Sequence, residues 1–224
     1  MTEPTFLSAT RVAYDVIAED YAAKFGAVMA DVPFERAMLS VFAELVDRRL
    51  PVADVGCGPG QVTAHLNALG LNAFGVDLSP VMLAAARRAH PALRFEEGSM
   101  TALDVADATL AGIVAFYSTI HIPTERLGDV FGEFLRALAP GGLVLLAFQQ
   151  GNERGHRSQA FGHSIALDYY LREPEAVAAL LAEAGFEPCA RLIREPSPPD
   201  ETVPRALLLA RKPDRPLSVR YSTR

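Results

Sequence analysis

Short apolar runs alternate with amphipathic segments through the middle of the chain. Five runs of strand length are too apolar for strands with one face in water, and they span residues 51–56, 72–78, 93–98, 111–118 and 143–149. In the segments between them, apolar residues recur every three or four positions, which is the spacing of a helix that buries one face. This alternation predicts βαβ units, which build a parallel sheet with helices on both faces.

Local signals mark where the helices begin and end. Ser79 followed by Pro80 is a favourable start for a helix, since serine caps the first turn and proline suits its first position. A helix from about Thr124 carries an apolar stripe and is expected to stop at the Pro-Gly-Gly sequence at 140–142. A further helix follows Pro174.

The end of the chain predicts a hairpin. Two apolar segments, 187–193 and 205–211, flank a proline-rich connection and are expected to pair as antiparallel strands. With the five earlier runs, they bring the expected sheet to seven strands.

The start of the chain predicts a helical cap. Helices are expected at about 10–25 and 34–49, before the first strand. On the first, Tyr14 and Tyr21 share a face with Ile17 and Phe25. Two interpretations stay open, a packing stripe or tyrosines that face a ligand, because a buried hydroxyl needs a partner.

Composition narrows the possible partners. The 224 residues, 50% of them hydrophobic, suffice for one large core. A formal net charge of -6 disfavours contact with a nucleic-acid backbone. No long uncharged apolar stretch or signal-peptide pattern occurs. We therefore expect a cytoplasmic protein without a membrane or nucleic-acid partner, and the oligomeric state stays open.

The segment with the clearest chemistry is a glycine-rich turn after the first strand. Residues 54–60 have the spacing D-x-G-x-G-x-G, from Asp54 through Gly56, Gly58 and Gly60. Glycines there let the backbone approach a ligand closely. A dinucleotide fingerprint that began at Gly56 would need a sixth-position glycine, where Gln61 stands instead.

This motif resembles the first motif of class I S-adenosylmethionine-dependent methyltransferases, and the resemblance covers approximately residues 50–212. It implies a Rossmann-like α/β fold, with S-adenosylmethionine as cofactor and its amino-acid end beside the glycine turn. Asp77, at the end of the second strand, is placed to accept both ribose hydroxyls, although NAD-binding folds share that feature. Ser99 departs from the acidic residue that the family often uses at the adenine, but a Gly-Ser-Met variant is similar to members that use serine and the adjoining backbone.

The expected organisation follows from these patterns. A helical cap spans 1–50, a seven-stranded, mostly parallel core with a C-terminal antiparallel hairpin spans 51–212, and a tail spans 213–224. The residues expected to contact the cofactor are Tyr14, Tyr21, Asp54, Gly56, Gly58, Gly60, Asp77, Leu78, Ser99, Met100 and Tyr117.

The residues after the fourth strand indicate the kind of reaction. They lack the [DN]-P-P-[YFW] sequence of exocyclic-amine DNA methylation, the Pro-Cys pair of cytosine C5 methylation and an acidic metal ligand. A metal-independent enzyme that methylates a small molecule by in-line displacement remains, with oxygen, nitrogen and carbon acceptors all open. His121 is the best candidate for a general base, or else a histidine that only hydrogen-bonds within its loop.

A long polar segment after the fifth strand is typical of a lid. It contains His163, a second catalytic candidate, and Arg154, His156 and Arg157, which could bind an anionic group of the acceptor. The alternative is a solvated loop.

Two other functions stay open. An NAD(P)-dependent oxidoreductase would share the fold, although Gln61 argues against it. A protein that binds S-adenosylmethionine without catalysis would share the motif.

Overall fold

The computed structural model describes residues 4–199 and 201–214. The strands are β1 (Val52–Val55), β2 (Ala73–Asp77), β3 (Phe95–Glu97), β4 (Leu110–Phe116), β5 (Leu138–Gln149), β6 (Arg154–Ala160), β7 (His163–Tyr170), β8 (Glu187–Arg194) and β9 (Arg205–Arg211). The helices are α1 (Thr5–Phe25), α2 (Pro33–Leu45), α3 (Gln61–Ala68), α4 (Pro80–Ala89), α5 (Leu127–Ala137) and α6 (Pro174–Ala184).

Seven strands form one sheet in the order β3-β2-β1-β4-β5-β9-β8. The first five in this order are parallel, and β9 runs antiparallel between β5 and β8. The expected Rossmann-like sheet with its antiparallel C-terminal hairpin is therefore confirmed. The strand order reverses between β1 and β4, and open α/β sheets bind ligands at such a reversal.

Helices cover both faces of the sheet, which explains why its central strands are apolar throughout. Successive side chains of a strand point to opposite faces. In β5, one set packs with α5 and α6 and consists of Val144, Leu146 and Phe148. The alternate set packs with α2 and α3 and consists of Leu143, Leu145 and Ala147.

Two predicted helix starts are found at the expected residues. Ser79 caps α4, because its Oγ accepts a hydrogen bond from the Met82 N–H at 3.0 Å. The helix α6 begins at Pro174, and its last residue, Ala184, is followed by Gly185 in a left-handed conformation with φ 106°. By contrast, α1 begins at Thr5, earlier than the pattern indicated.

The polar segment after β5 is not a loop, as the sequence suggested, but a two-stranded hairpin of β6 and β7. Phe161 and Gly162 join the strands with φ values of 53° and 82°, and positive values at both positions are typical of the tightest hairpin turns. Most β6 side chains are exposed. The strand therefore lacks the apolar alternation by which sequence patterns identify strands.

The Pro-Gly-Gly sequence at 140–142 also differs from expectation. Instead of forming a separate turn, it belongs to β5, which pairs with β4 through a register shift between Leu110 and Gly112. From residue 215 onward, the expected tail at 213–224 lies outside the described residues. Within the described part of the chain, no helix has both the length and the apolarity needed to cross a membrane.

Candidate active site

A pocket lies beyond the carboxyl ends of β1, β2, β3 and β4, where the strand order reverses. It contains about 730 Å³ of space between atoms, part of it open to solvent. The strand ends and α1 supply its lining, which includes Leu7, Thr10, Arg11, Tyr14, Tyr21, Gly56, Gly58, Asp77, Leu78, Ser79, Gly98, Met100, Tyr117, Ser118 and His121.

The three glycines of the turn have different surroundings, although all have positive φ. A Cβ atom on Gly56 would lie 2.2 Å from Cβ of Ser118, and one on Gly60 would lie 2.7 Å from the ring of Phe95. A Cβ atom on Gly58 would meet no protein atom within 4 Å. Gly58 therefore borders open pocket space. Gly60, expected at the cofactor, instead leaves room for an aromatic ring in the core.

Asp77 connects the pocket to the glycine turn. Its Oδ2 accepts a hydrogen bond from the Gly58 N–H at 2.8 Å, and its Oδ1 accepts one from the Ser79 N–H at 2.9 Å. Burial raises the pKa of this carboxyl group. A carboxylate has about four acceptor sites, so Asp77 retains capacity for hydroxyl donors from a ligand in the pocket.

Asp54 lies beneath the turn and outside the pocket lining, contrary to its predicted contact with the cofactor. It is 1% exposed, and its Oδ2 accepts a hydrogen bond from the Thr63 hydroxyl at 2.6 Å. Burial raises the pKa of Asp54 to about 7. The hydrogen bond from Thr63 on α3 therefore connects β1 to the helix that follows it.

Ser99 also lies outside the lining, although its neighbours Gly98 and Met100 contribute to it. The Ser99 hydroxyl is 2.8 Å from the Thr101 hydroxyl and accepts a hydrogen bond from the Thr101 N–H at 3.2 Å. The Ser99 hydroxyl, which was expected to contact the adenine, therefore forms hydrogen bonds within this local turn.

The aromatic face of α1 covers the pocket. Tyr14 and Tyr21 both line it, and their rings make an edge contact with centroids 5.8 Å apart. Phe25 packs against Tyr21 with ring centroids 4.5 Å apart, and Ile17 is buried. Burial raises the pKa of Tyr21 to about 12. The stripe therefore combines the two interpretations that the sequence left open, since it packs against the protein and lines the pocket.

His121 lies beside Tyr14 in the pocket lining, in a short turn after β4. Its Nδ1 is 2.8 Å from the carbonyl oxygen of Asp168, and its Nε2 is 2.8 Å from the Tyr14 hydroxyl. Burial, together with the smaller effects of the charges of Arg172 and Arg157, lowers the pKa of His121 to about 4. A carbonyl oxygen only accepts hydrogen bonds. The neutral ring therefore carries its proton on Nδ1 and accepts the Tyr14 proton at Nε2.

We expect His121 to stay neutral, with its proton on Nδ1, as the pH falls from 8 to about 5. Nitrogen-15 NMR of the imidazole tests this, with His121→Asn used to assign the resonances. Unfolded histidine has a pKa of about 6.5, so the unfolded chain binds the proton first. His121 thus contributes stability above about pH 6.5 that is lost as the pH falls toward 4. Titration of the ring near 6.5 would contradict the assignment.

The basic residues of the hairpin do not enter the pocket lining. Arg154 and His156 both contact the carboxylate of Asp168, at 2.7 and 2.8 Å. Arg157 is exposed, with its guanidinium 5.9 Å from the Tyr169 ring centroid. Two of the residues predicted to bind an anion are therefore already paired with Asp168 on the adjacent strand. The sequence alone does not show this pairing, because it depends on the register of the two strands.

His163, expected as a catalytic residue, lies at the surface. Its Nε2 is 2.9 Å from Oδ2 of Asp20 on α1. The pair connects the hairpin to the cap helix, and His163 is outside the pocket lining.

Arg172 is a buried residue that sequence reasoning missed. It is 5% exposed, and its guanidinium donates hydrogen bonds to the carbonyl oxygens of Thr119 and Ile122, on either side of His121. These bonds hold the turn that presents His121 to the pocket. No motif marks such a residue, because its partners are backbone atoms some fifty positions earlier.

Glu35 is the second residue that sequence reasoning missed. It is fully buried on α2, where its Oε1 accepts hydrogen bonds from the Tyr117 hydroxyl at 2.9 Å and from Nε of Arg194 at 2.8 Å. Arg194 also pairs with Glu201. This buried cluster holds Tyr117 at the pocket wall, in the left-handed conformation with φ 54°.

Comparison with known proteins places these features in context. Residues 52–142 match a family described as "Methyltransferase domain". The chain is 34% identical over 113 residues to a malonyl-[acyl-carrier protein] O-methyltransferase of Pectobacterium atrosepticum, covering 50% of this chain and 44% of that protein. It is 34% identical over 101 residues to a demethylmenaquinone methyltransferase of Chlorobaculum parvum, covering 45% and 41%. The matches thus span less than half the length of these two relatives.

Solved structures show the same architecture over nearly the whole chain. The 1,6-didemethyltoxoflavin-N1-methyltransferase of Burkholderia thailandensis, which contains S-adenosylhomocysteine, superposes with a TM-score of 0.73 at 21% identity, covering 96% of this chain and 92% of that one. At this identity, the likeness establishes a shared fold.

Proposed function

We propose that this chain belongs to the class I S-adenosylmethionine-dependent methyltransferase family and transfers the cofactor's methyl group to an oxygen, nitrogen or carbon atom of a small molecule, without a metal ion. The match of residues 52–142 to a methyltransferase domain supports this proposal. The observation that carries the proposal is the pocket at the strand-order reversal. It brings Gly58 and Asp77 together beneath the aromatic face of α1.

The pocket has the groups that the cofactor requires. Asp77 would accept the ribose hydroxyls, and the open space at Gly58 would admit the amino-acid end against the backbone. Met100 and Leu78 offer apolar surface for the adenine. Tyr21 would cover the bound molecule from α1. When bound, S-adenosylmethionine supplies a methyl group on a sulfonium sulfur.

The protein's own contribution to this reaction is position and exclusion of water. In-line displacement at a methyl carbon needs the acceptor atom held close to that carbon, and a dry pocket leaves the acceptor atom free to react. The aromatic face of α1 closes one side of the pocket, and the buried turn at His121 closes another. Both walls would orient an acceptor.

The position of the pocket beneath α1 supports a small-molecule acceptor. The net charge of -6 also supports it, because this charge disfavours contact with nucleic acid. The relatives named above act on different acceptors, so they do not favour one acceptor atom. A cytoplasmic location remains part of the proposal.

Calorimetry and mass spectrometry together test the proposed function. We expect S-adenosylhomocysteine to bind with a Kd on the order of micromolar, and NADH not to bind. Incubation with a low-molecular-weight cell extract and S-adenosylmethionine labelled with a deuterated methyl group should then yield a labelled product. Binding of NADH alone would favour an oxidoreductase, and cofactor binding without any product would favour a non-catalytic protein.

A further inference from the structure

The hydrogen bonds around His121 run in one direction. The carbonyl oxygen of Asp168 accepts from Nδ1, and Nε2 accepts from the hydroxyl of Tyr14. A hydroxyl has one proton and two lone pairs. Once the Tyr14 proton points to His121, the tyrosine oxygen offers only lone pairs to any molecule beside it. His121 itself has no free nitrogen for an acceptor.

We infer that Tyr14 is the group that receives the acceptor's proton, with His121 acting behind it as a positioning residue, and that the acceptor is a neutral molecule with an O–H or N–H at the methylated atom. This inference rests on the proposed function. It moves Tyr14 from the cofactor side of the pocket to the acceptor side.

The acceptor atom forms a bond to the methyl carbon, and the bond between that carbon and sulfur breaks with its electron pair remaining on sulfur. The acceptor's proton passes to Oη of Tyr14 while the Tyr14 hydroxyl proton passes to Nε2 of His121. One positive charge leaves sulfur and one forms on the imidazole ring, so the net charge of the pocket is unchanged.

The surroundings disfavour an anionic acceptor at this position. The lone pairs of Tyr14 would face the anion, and the negative charge of Asp77 acts on the same hydroxyl more strongly than the opposing positive charge of Arg157. The hairpin residues Arg154 and His156, expected from the sequence to bind an anion, are paired with Asp168. A neutral donor would instead complete the hydrogen-bond chain.

Three matched probes test the inference on protein loaded with S-adenosylhomocysteine. Phenol carries a neutral donor, anisole has the same ring without a donor, and benzoate is an anion. In titrations followed by NMR, we expect phenol to bind about three- to tenfold more tightly than anisole and benzoate to bind least. Tyr14→Phe should remove the preference for phenol over anisole. Tyr169→Phe is the control, because it removes a tyrosine hydroxyl from β7 at a position outside the pocket lining, and it should retain the preference.

The outcomes separate this inference from the proposed function. If wild-type protein fails to bind S-adenosylhomocysteine, both fall. If it binds, three results overturn the inference alone: no preference for phenol, including no binding of any probe; a preference that persists in Tyr14→Phe; or a loss of S-adenosylhomocysteine affinity of about tenfold or more in that variant, which would make Tyr14 a cofactor contact.

Discussion

Replacing Gly58 with valine is expected to abolish binding of S-adenosylhomocysteine while the protein stays folded. A Cβ atom at this position meets no protein atom within 4 Å, so the added side chain extends into open pocket space where a ligand must approach. Because Gly58 has φ +51°, the substitution also costs about 1–3 kcal/mol of stability. We expect the affinity measured by calorimetry to fall at least about a hundredfold, or about 2.7 kcal/mol.

Gly162→Val is the matched control for that variant. Gly162 has φ +82° and equally open surroundings, but it lies in the turn of the β6–β7 hairpin. The control should suffer a similar loss of stability in thermal unfolding and bind S-adenosylhomocysteine normally. Normal binding by Gly58→Val would show that the glycine turn is not the cofactor site. Equal loss of binding in both variants would point to a general effect of backbone strain.

Asp77→Ala is expected to weaken S-adenosylhomocysteine binding at least about tenfold, or about 1.4 kcal/mol. The substitution removes the carboxylate proposed to hold the ribose hydroxyls, and it also removes the hydrogen bonds from the Gly58 and Ser79 N–H groups. The glycine turn and the ribose of the ligand therefore both lose a hydrogen-bond acceptor. Calorimetry measures the affinity, and circular dichroism checks that the variant is folded.

Asp15→Ala provides the comparison for Asp77. Asp15 accepts a hydrogen bond from the Ser79 hydroxyl, close to the same strand end, but it is not among the pocket-lining residues. Its removal should change the affinity by less than about threefold, within the range of one ordinary hydrogen bond. Unchanged affinity in Asp77→Ala would rule out the ribose contact.

The cofactor side of the pocket was the part of the site most open to prediction. The glycine turn and Asp77 are joined by local geometry, since a strand, a tight turn and a helix follow one another in the chain. Even so, the spacing could not distinguish Gly58, which borders the pocket, from Gly60, which accommodates Phe95. That difference depends on a ring from β3, a strand that comes more than thirty residues later.

The acceptor side depended on contacts between distant segments. Tyr14 and His121 are 107 positions apart, and His121 and Asp168 are 47 apart. The pairing of Arg154 and His156 with Asp168 arises from the register of a hairpin whose polar strands gave no apolar alternation. A single sequence contains each residue type but not the distances between them.

The sequence by itself determined the alternation of strands and helices, the antiparallel hairpin at the end of the sheet and the glycine turn beside Asp77, because hydrophobic periodicity and turn chemistry act between neighbouring residues. Only the tertiary structure decided that α1 closes the pocket, that His163 lies at the surface and that His121 is neutral behind Tyr14. Burial and the direction of a hydrogen bond are set by whatever packs around a side chain, and in this protein those partners come from elsewhere in the chain.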